Sequence, residues 1–234
     1  MIEKNIFQSW YTKDLDPRLK KKIINFRRMN PLYKYYLYDD KEIDEFVNKY
    51  YEGEIADSYN KLNIIVAKVD FWRYLILYKY GGIYVDMDST INKNLDKLIK
   101  ENDQAIISVE RHFNSYVQWG LIFSKEHPIL KKTIDLIVEN IKNNSYPNDI
   151  HRMTGPTVYT KAINYVNKNI FNKIIDIKKI KRGTDITFGN NNISYRLYGI
   201  DYNDNLSYKH NLSNLLYVNK KHWRDEEKEK NLLI

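Results

Sequence analysis

The sequence contains no cysteine, five prolines and eight glycines among its 234 residues. Without cysteine, a disulfide framework and a thiolate metal site are both excluded. No apolar run reaches the roughly 20 residues that a membrane-spanning helix needs. The first residues, MIEKNIFQSW, also lack an apolar signal segment. We therefore expect a protein without a transmembrane segment that is cytoplasmic or otherwise soluble.

The rest of the composition is that of an ordinary folded domain. Hydrophobic residues make up 43% of the chain, enough to build a core. A chain of 234 residues predicts a single domain, 1–234. The formal net charge of +8 favours anionic partners such as nucleotide-sugars, acidic glycans, membranes or nucleic acid. A general bias toward lysine and asparagine explains the same charge without any partner, and we prefer that interpretation.

The most informative segment is residues 62–89, LNIIVAKVDFWRYLILYKYGGIYVDMDS. Its first nineteen residues contain neither Pro nor Gly, so they predict a helix of roughly 28 Å. Apolar residues cover almost the whole circumference of that helix, which predicts that it is buried. Asp70 and Arg73 have the i, i+3 spacing that lets two side chains meet. Either they form a structural ion pair or they project into a polar ligand, and the sequence leaves both open.

A pair of aspartates closes this segment. Gly81 and Gly82 end the helix and turn the chain, and the next three residues favour a strand. Because side chains alternate along a strand, Asp86 and Asp88 are expected on one face, roughly 7 Å apart. A cation between them would relieve their repulsion, and oxygen-only ligands favour Mg²⁺ or Mn²⁺. Such an ion would bridge the carboxylates to a diphosphate.

An Asp-x-Asp pair alone is a weak signal, because a chain this rich in Asp contains roughly one by chance. A second pair, Asp14 and Asp16, stands just before Pro17 and predicts a solvated turn and a helix start. Only Asp86 and Asp88 follow a buried helix and an apolar strand. Ligand sites lie at the carboxyl ends of strands in open α/β sheets. The pair at 86 and 88 is therefore the candidate site.

Alternating strand and helix signals in the first half predict an α/β fold. Strands are expected at 6–10, 33–38, 105–109, 116–123, 171–180, 193–198 and 215–219. Helices are expected at about 16–30, 94–100, 128–141 and 155–166, with Asp39 opening another through a capping box to Glu42. Residues 142–153 and 183–192 predict loops. Lys22 and the other basic residues of the first helix predict a solvated face.

The segment AKVDFWRYLILYKYGGIYVDMDS resembles the donor-binding core of the glycosyltransferases with a DXD sugar-binding motif. It is most similar to glycosyltransferase family 32, the group of the yeast initiating mannosyltransferase and bacterial capsular sugar transferases. The glucosyltransferase domain of large clostridial toxins shares the same core. The matched positions are Ala67, Asp70, Arg73, Gly81, Gly82, Tyr84, Asp86 and Asp88. Weaker matches are Gln8 and Trp10, Asp39-Asp40, Thr154-Gly155-Pro156, and Lys221-His222-Trp223.

The resemblance implies a GT-A fold, a Rossmann-like α/β nucleotide-diphospho-sugar transferase fold with a mixed central sheet flanked by helices. It implies that residues 1–100 bind the nucleotide-sugar and metal and that residues 101–234 bind the acceptor. The implied reaction moves a hexose from a UDP- or GDP-sugar to a glycan or other hydroxyl acceptor, with retention of the anomeric configuration. The implied cofactors are Mn²⁺ or Mg²⁺ and the nucleotide-sugar donor. No nucleic-acid partner is expected.

The resemblance also implies roles for single residues. Asp86 and Asp88 would hold the divalent ion, and His222 is a candidate third ligand because imidazole suits such ions. The catalytic set would be Asp70, Arg73, Asp86 and Asp88. The nucleotide-sugar would contact Gln8, Ser9, Trp10, Asp70, Arg73, Tyr84, Asp86 and Trp223. Residues 118–121 lie where family members often contact the sugar, although the usual Asn is absent there.

Two other classes stay open. A metal-dependent nuclease or phosphatase would need further acidic or His ligands around two metals, and the sequence offers no second convincing cluster. A catalytically weak, basic module that binds glycan or nucleic acid would keep the same fold. The presence of both Asp86 and Asp88 argues against that loss of activity.

Overall fold

A mixed β-sheet runs through the centre of the molecule, with helices on both faces. The computed structural model describes residues 1–112, 115–190, 192–207 and 223–234. The strands are β1 (Asn5–Ser9), β2 (Lys34–Tyr38), β3 (Gly82–Val85), β4 (Thr90–Ile91), β5 (Ala105–Val109), β6 (Gly120–Phe123), β7 (Ile186–Gly189), β8 (Ser194–Ile200) and β9 (Leu206–Ser207). The helices are α1 (Pro17–Met29), α2 (Asp40–Tyr50), α3 (Gly53–Lys61), α4 (Ile65–Tyr80), α5 (Leu95–Leu98), α6 (Pro128–Lys142), α7 (Ile150–Met153), α8 (Pro156–Asn169) and α9 (Trp223–Glu229).

The strand order of the main sheet is β2-β1-β3-β6-β5-β8-β7. Strand β1 is parallel to β2 and β3, and β8 is parallel to β5. Strand β6 is antiparallel to both β3 and β5, which are therefore parallel to each other. The carboxyl ends of β1, β2, β3, β5 and β8 consequently share one edge of the sheet. That edge is where open α/β sheets place ligands.

Two apolar cores flank the sheet, and α4 lies in the larger one. The buried run of α4 contains Asp70, Phe71, Trp72, Arg73, Tyr74, Leu75, Ile76 and Leu77. The smaller core lies under α1 and α5. The prediction that α4 is buried is confirmed, because its apolar residues face neighbours in every direction. Among the described residues, no helix combines the length and the hydropathy needed to cross a membrane.

The turn after α4 depends on two glycines. Gly81 caps the helix with φ of 59°, a left-handed conformation that glycine adopts without steric cost. A Cβ atom on Gly82 would lie 2.6 Å from the backbone oxygen of Asn5. Only glycine therefore lets β3 approach β1 closely. This turn delivers the end of β3 to the carboxyl edge of the sheet.

Several sequence-based boundaries are wrong. Helix α4 begins at Ile65 rather than at residue 62, and β6 begins at Gly120 rather than at residue 116. Residues 171–180 hold a 3-10 turn, Ile177–Lys179, in place of a strand, because the Asp176 side chain accepts from the Lys178 N–H and caps that turn. The loop predicted at 183–192 contains β7, and the loop predicted at 142–153 contains α7. The strand predicted at 215–219 lies outside the described residues.

Candidate active site

The aspartate pair lies in a tight turn at the carboxyl edge of the sheet. Strand β3 ends at Val85, and the Asp86 N–H still donates to the Trp119 carbonyl at 2.8 Å. The Ser89 N–H then donates back to the Asp86 carbonyl at 2.9 Å. The prediction that Asp86 and Asp88 continue a strand is wrong, because this hydrogen bond closes a turn. Strand alternation therefore does not set the direction of their side chains.

A buried ion cluster connects α4 to this turn. The Arg73 Nη2 atom lies 3.0 Å from Asp70 Oδ1 and 3.3 Å from Asp86 Oδ1. Arg73 and Asp70 are only 4% and 6% exposed. The Tyr84 hydroxyl donates to the same Asp86 oxygen at 2.6 Å. The structure thus brings together four predicted site residues, and the ion pair left open by the sequence includes a third partner, Asp86.

The second half of the chain completes the surroundings of Arg73. Its Nη1 donates to the Gln118 carbonyl at 3.2 Å, and its guanidinium lies 4.6 Å from the centre of the Tyr84 ring. Among the described residues, Arg73 Nε has no hydrogen-bond partner. A buried guanidinium N–H without a partner is costly. Arg73 Nε is therefore a buried donor that the described residues leave unsatisfied.

Asp70 is held by side chains from two other elements. Gln118 Nε2 donates to Asp70 Oδ1 at 3.1 Å, and Thr154 Oγ1 donates to Asp70 Oδ2 at 3.3 Å. Burial raises the pKa of Asp70 to about 6, although Arg73 opposes the rise. Burial also raises the pKa of Asp86, against the opposing effects of Arg73 and Tyr84. Both carboxyls thus titrate closer to neutrality than ordinary aspartates.

The predicted nucleotide contacts of β1 fall into two groups. Gln8 Nε2 lies 3.2 Å from the carbonyls of both Val85 and Asp86, and the Tyr35 hydroxyl donates to Gln8 Oε1 at 3.0 Å. The Gln8 amide therefore fixes the end of β3. Ser9 ends β1, and Trp10 follows it with its N–H donating to the Tyr38 carbonyl at 3.0 Å. These two residues are at the same sheet edge as Asp86.

Lys22 of α1 reaches the other end of the aspartate turn. Its Nζ donates to the Ser89 carbonyl at 3.2 Å. Burial lowers the pKa of Lys22 to about 7, and the nearby Asp88 carboxylate opposes that change. The prediction of a solvated face is therefore wrong for Lys22. Lys22 could not be distinguished from the other basic residues of α1 by sequence, because successive residues of a helix point in different directions.

The sequence reasoning also missed Glu110, which directly follows β5 at the carboxyl edge. Burial raises the pKa of Glu110 to about 7, the Ser115 hydroxyl opposes this, and the Asp201 and Asp86 charges add to it. Glu110 and Asp86 each directly follow a strand, β5 and β3, whose carboxyl ends share this edge of the sheet. The available signal was the position of an acidic residue immediately after a strongly apolar strand.

Two predicted residues cannot be placed in the site. His222 lies outside the described residues, and Trp223 is the first residue of α9. Across the described ranges, no group of three or more His, Cys, Asp or Glu side chains is arranged to hold a metal. Asp86 and Asp88 lie two residues apart on the tight turn, and both side chains carry only oxygen donors. That chemistry fits Mn²⁺ or Mg²⁺, which prefer oxygen ligands.

The fold is a GT-A fold, as in glycosyltransferases of known structure. The structure of PaToxG Glycosyltransferase matches with a TM-score of 0.56 and 23% identity, over 74% of this chain and 71% of that one. The model of the family described as "Glycosyltransferase sugar-binding region containing DXD motif" matches residues 16–105. These residues include Asp70, Arg73, Asp86 and Asp88. The predicted fold class is confirmed.

The names of similar proteins agree with that family. An uncharacterized glycosyltransferase of Acanthamoeba polyphaga mimivirus is 31% identical over 175 residues, which cover 72% of this chain and 67% of the relative. The initiation-specific alpha-1,6-mannosyltransferase of Candida albicans is 24% identical over 204 residues, 70% of this chain and 53% of the relative. Inositol phosphoceramide mannosyltransferase 3 of Schizosaccharomyces pombe is 30% identical over 160 residues, 66% of this chain and 43% of the relative.

The chain belongs to the glycosyltransferase family with the DXD-containing sugar-binding region, as its sequence predicts. It spans about half the length of the two fungal relatives.

Proposed function

We propose that this chain is a metal-dependent, retaining glycosyltransferase that moves a hexose from a UDP- or GDP-sugar to a glycan or other hydroxyl acceptor. The observation that carries the proposal is the Arg73 guanidinium shared by Asp70 and Asp86 at the sheet edge. Mannose is the hexose we propose first, because two of the relatives are named mannosyltransferases.

The donor is bound by residues from both halves of the chain. Arg73 and Tyr84 both engage Oδ1 of Asp86, so we assign Oδ2 of Asp86 and the Asp88 carboxylate to the divalent ion. When bound, that ion would supply Lewis-acid stabilisation of the charge on the departing diphosphate. Asp70 and Arg73 bind the hydroxyl groups or phosphate of the donor sugar. Ser9 and Trp10 contact the base, and Tyr84 packs near the ribose.

The two halves of the chain do not separate donor binding from acceptor binding completely. We propose that residues 1–100 bind the nucleotide-sugar and that residues 101–234 bind the acceptor. Gln118 and Thr154 belong to the second half yet both donate to Asp70. These contacts support a role for the acceptor half in positioning the donor sugar as well.

The experiment is a screen of UDP- and GDP-hexoses, GDP-mannose first, for release of UDP or GDP with Mn²⁺ and with EDTA. We expect release from one donor, lost with EDTA and lost in Asp88→Asn. The matched control is Asp14→Asn, which alters the second Asp-x-Asp pair at a side chain that is 93% exposed. Hydrolysis that survives both EDTA and Asp88→Asn would overturn the metal role. No release and no thermal shift with any donor would favour a glycan-binding module without activity.

A further inference from the structure

A cleft follows the outer edge of β2, away from the aspartate turn. Strand β2 is the last strand at one end of the main sheet. Between this strand, α2 and the loop after β1 lies a cavity of about 480 Å³, called here the tyrosine cleft. Its lining includes Lys13, Tyr36, Tyr38, Glu42, Lys49 and Tyr50. Its volume falls within the range of about 300–1,000 Å³ that is usual for small-molecule sites.

Two tyrosine rings in the cleft are both exposed and held in place. Tyr36 is 38% exposed, and its ring stacks on Phe7 at 5.3 Å with an interplanar angle of 17°. Tyr50 is 39% exposed, and its ring lies 5.2 Å from that of Phe46. The Lys79 ammonium sits 4.3 Å from the centre of the Tyr50 ring. Rings fixed in this way offer a large contact area at a small entropic cost.

The positive and negative side chains that line the cleft are equal in number. The lining contains two lysines, Lys13 and Lys49, and two glutamates, Glu42 and Glu45. Lys13 forms an ion pair with Glu42. A locally neutral lining in a chain with a formal charge of +8 disfavours nucleic acid and other polyanions as the occupant. Exposed aromatic rings beside paired polar groups instead suit a neutral ligand with apolar C–H groups and many hydroxyls, which is the chemistry of a sugar chain.

Aromatic contacts connect the cleft to the candidate active site. The Tyr38 ring lies 5.1 Å from that of Trp72, and the Trp72 ring lies 6.0 Å from that of Tyr84. Tyr84 in turn donates to Asp86. The wall of the cleft and the wall of the donor site are therefore one packed unit. A sugar chain in the cleft would lie beside the site without occupying it.

We propose that the tyrosine cleft binds a neutral oligosaccharide, the part of the acceptor chain that lies away from the reacting hydroxyl, so that acceptor binding extends from residues 101–234 to this cleft in the first half of the chain. The assignment to the acceptor rests on the proposed function, whereas binding of an oligosaccharide to the cleft does not. The binding test uses linear manno- and gluco-hexaoses, titrated without nucleotide and followed by calorimetry and by NMR shifts.

The variants are Tyr36→Ala with Tyr50→Ala, and Tyr50→Ala alone in case loss of the Tyr36–Phe7 stack harms folding. The control is Tyr165→Ala, because Tyr165 is 47% exposed with the Lys132 ammonium 4.2 Å from its ring centre but does not line the cleft. We expect at least one hexaose to bind, at least tenfold more weakly in the cleft variants than in the control. In transfer assays, the KM for a hexaose acceptor should rise while that for a monosaccharide acceptor and donor hydrolysis stay unchanged.

The outcomes separate this inference from the proposed function. If no hexaose binds while donor hydrolysis is intact, the cleft is not a glycan site and the function stands. Hexaose binding that is lost in the cleft variants, without any donor hydrolysis, supports the cleft and overturns the function. Equal hexaose binding by the cleft variants and by Tyr165→Ala overturns the inference. Binding of an extended peptide to the edge of β2, without binding of any hexaose, also overturns it.

Discussion

Replacing Arg73 by Met tests whether one guanidinium compensates two buried carboxylates. Arg73 Nη2 contacts Asp70 and Asp86 at 3.0 and 3.3 Å, and the arginine is 4% exposed. Removing one partner of a buried ion pair typically costs about 3–5 kcal/mol, because it leaves an uncompensated buried charge. We expect Arg73→Met to lower the free energy of unfolding by about that amount at pH 8.

The pH dependence supplies a second signature. In the wild type, burial raises the pKa of Asp70 from 3.8 to about 6. A raised carboxyl pKa leaves stability intact below the unfolded value and removes it as the pH rises through the folded value. The gap from 3.8 to about 6 corresponds to about 3 kcal/mol. Without Arg73 both carboxyl pKa values rise further, so the deficit of the variant should be largest at pH 8 and smaller at pH 5.

The measurement is urea unfolding of the wild type and Arg73→Met at pH 5, 6.5 and 8. The matched control is Arg152→Met, since Arg152 pairs with Asp149 at 3.3 Å and the two side chains are 61% and 39% exposed. Exposed pairs contribute about 0–1 kcal/mol, so this control should change little. A loss in Arg73→Met that equals the control, or that is the same at pH 5 and pH 8, would refute the reasoning.

Three further variants address single contacts. Asp88→Asn should abolish donor hydrolysis but change the free energy of unfolding by about 1 kcal/mol or less, because Asn keeps the size and shape of the buried Asp88 side chain; wild-type hydrolysis would contradict the metal role. Tyr84→Phe removes the 2.6 Å hydrogen bond to Asp86 and should therefore raise the pKa of Asp86. The acidic limb of the pH profile of hydrolysis should then move to higher pH. If that limb does not move, this hydrogen bond does not set the pKa of Asp86. Asp39→Ala breaks the α2 capping box and should cost about 0.5–2 kcal/mol in urea unfolding while hydrolysis per folded molecule stays the same. A loss of hydrolysis without a loss of stability would instead place Asp39 in the site.

Local features of the fold were readable from the sequence because they depend on near neighbours. The Asp16 side chain accepts from the Arg18 N–H and caps α1, and Asp39 and Glu42 form the expected capping box at α2. The Gly81-Gly82 pair fixed where α4 ends and β3 begins. The all-round apolar surface of α4 indicated its burial. Each of these signals lies within a few residues of the structure that it specifies.

The interactions of the site were only partly readable. The i, i+3 spacing allowed a pair between Asp70 and Arg73, and it forms. No local pattern could show that Arg73 would also hold Asp86, or that Gln118 and Thr154, 48 and 84 residues from Asp70, would donate to its carboxylate. Strand β7 was missed for a related reason, since it is only four residues long within the polar segment 183–192 and its formation depends on pairing with β8.

The sequence by itself determined the family, the two aspartates and the helix that supports them, because fixed spacing and apolar periodicity are properties of a short segment. The tertiary structure decided how those groups are charged and where their partners come from. It inserts β6 antiparallel between β3 and β5, which carries Gln118 to α4 and places Glu110 at the edge that holds Asp86. Charge compensation in a buried site depends on such long-range packing, and therefore only the folded chain specifies it.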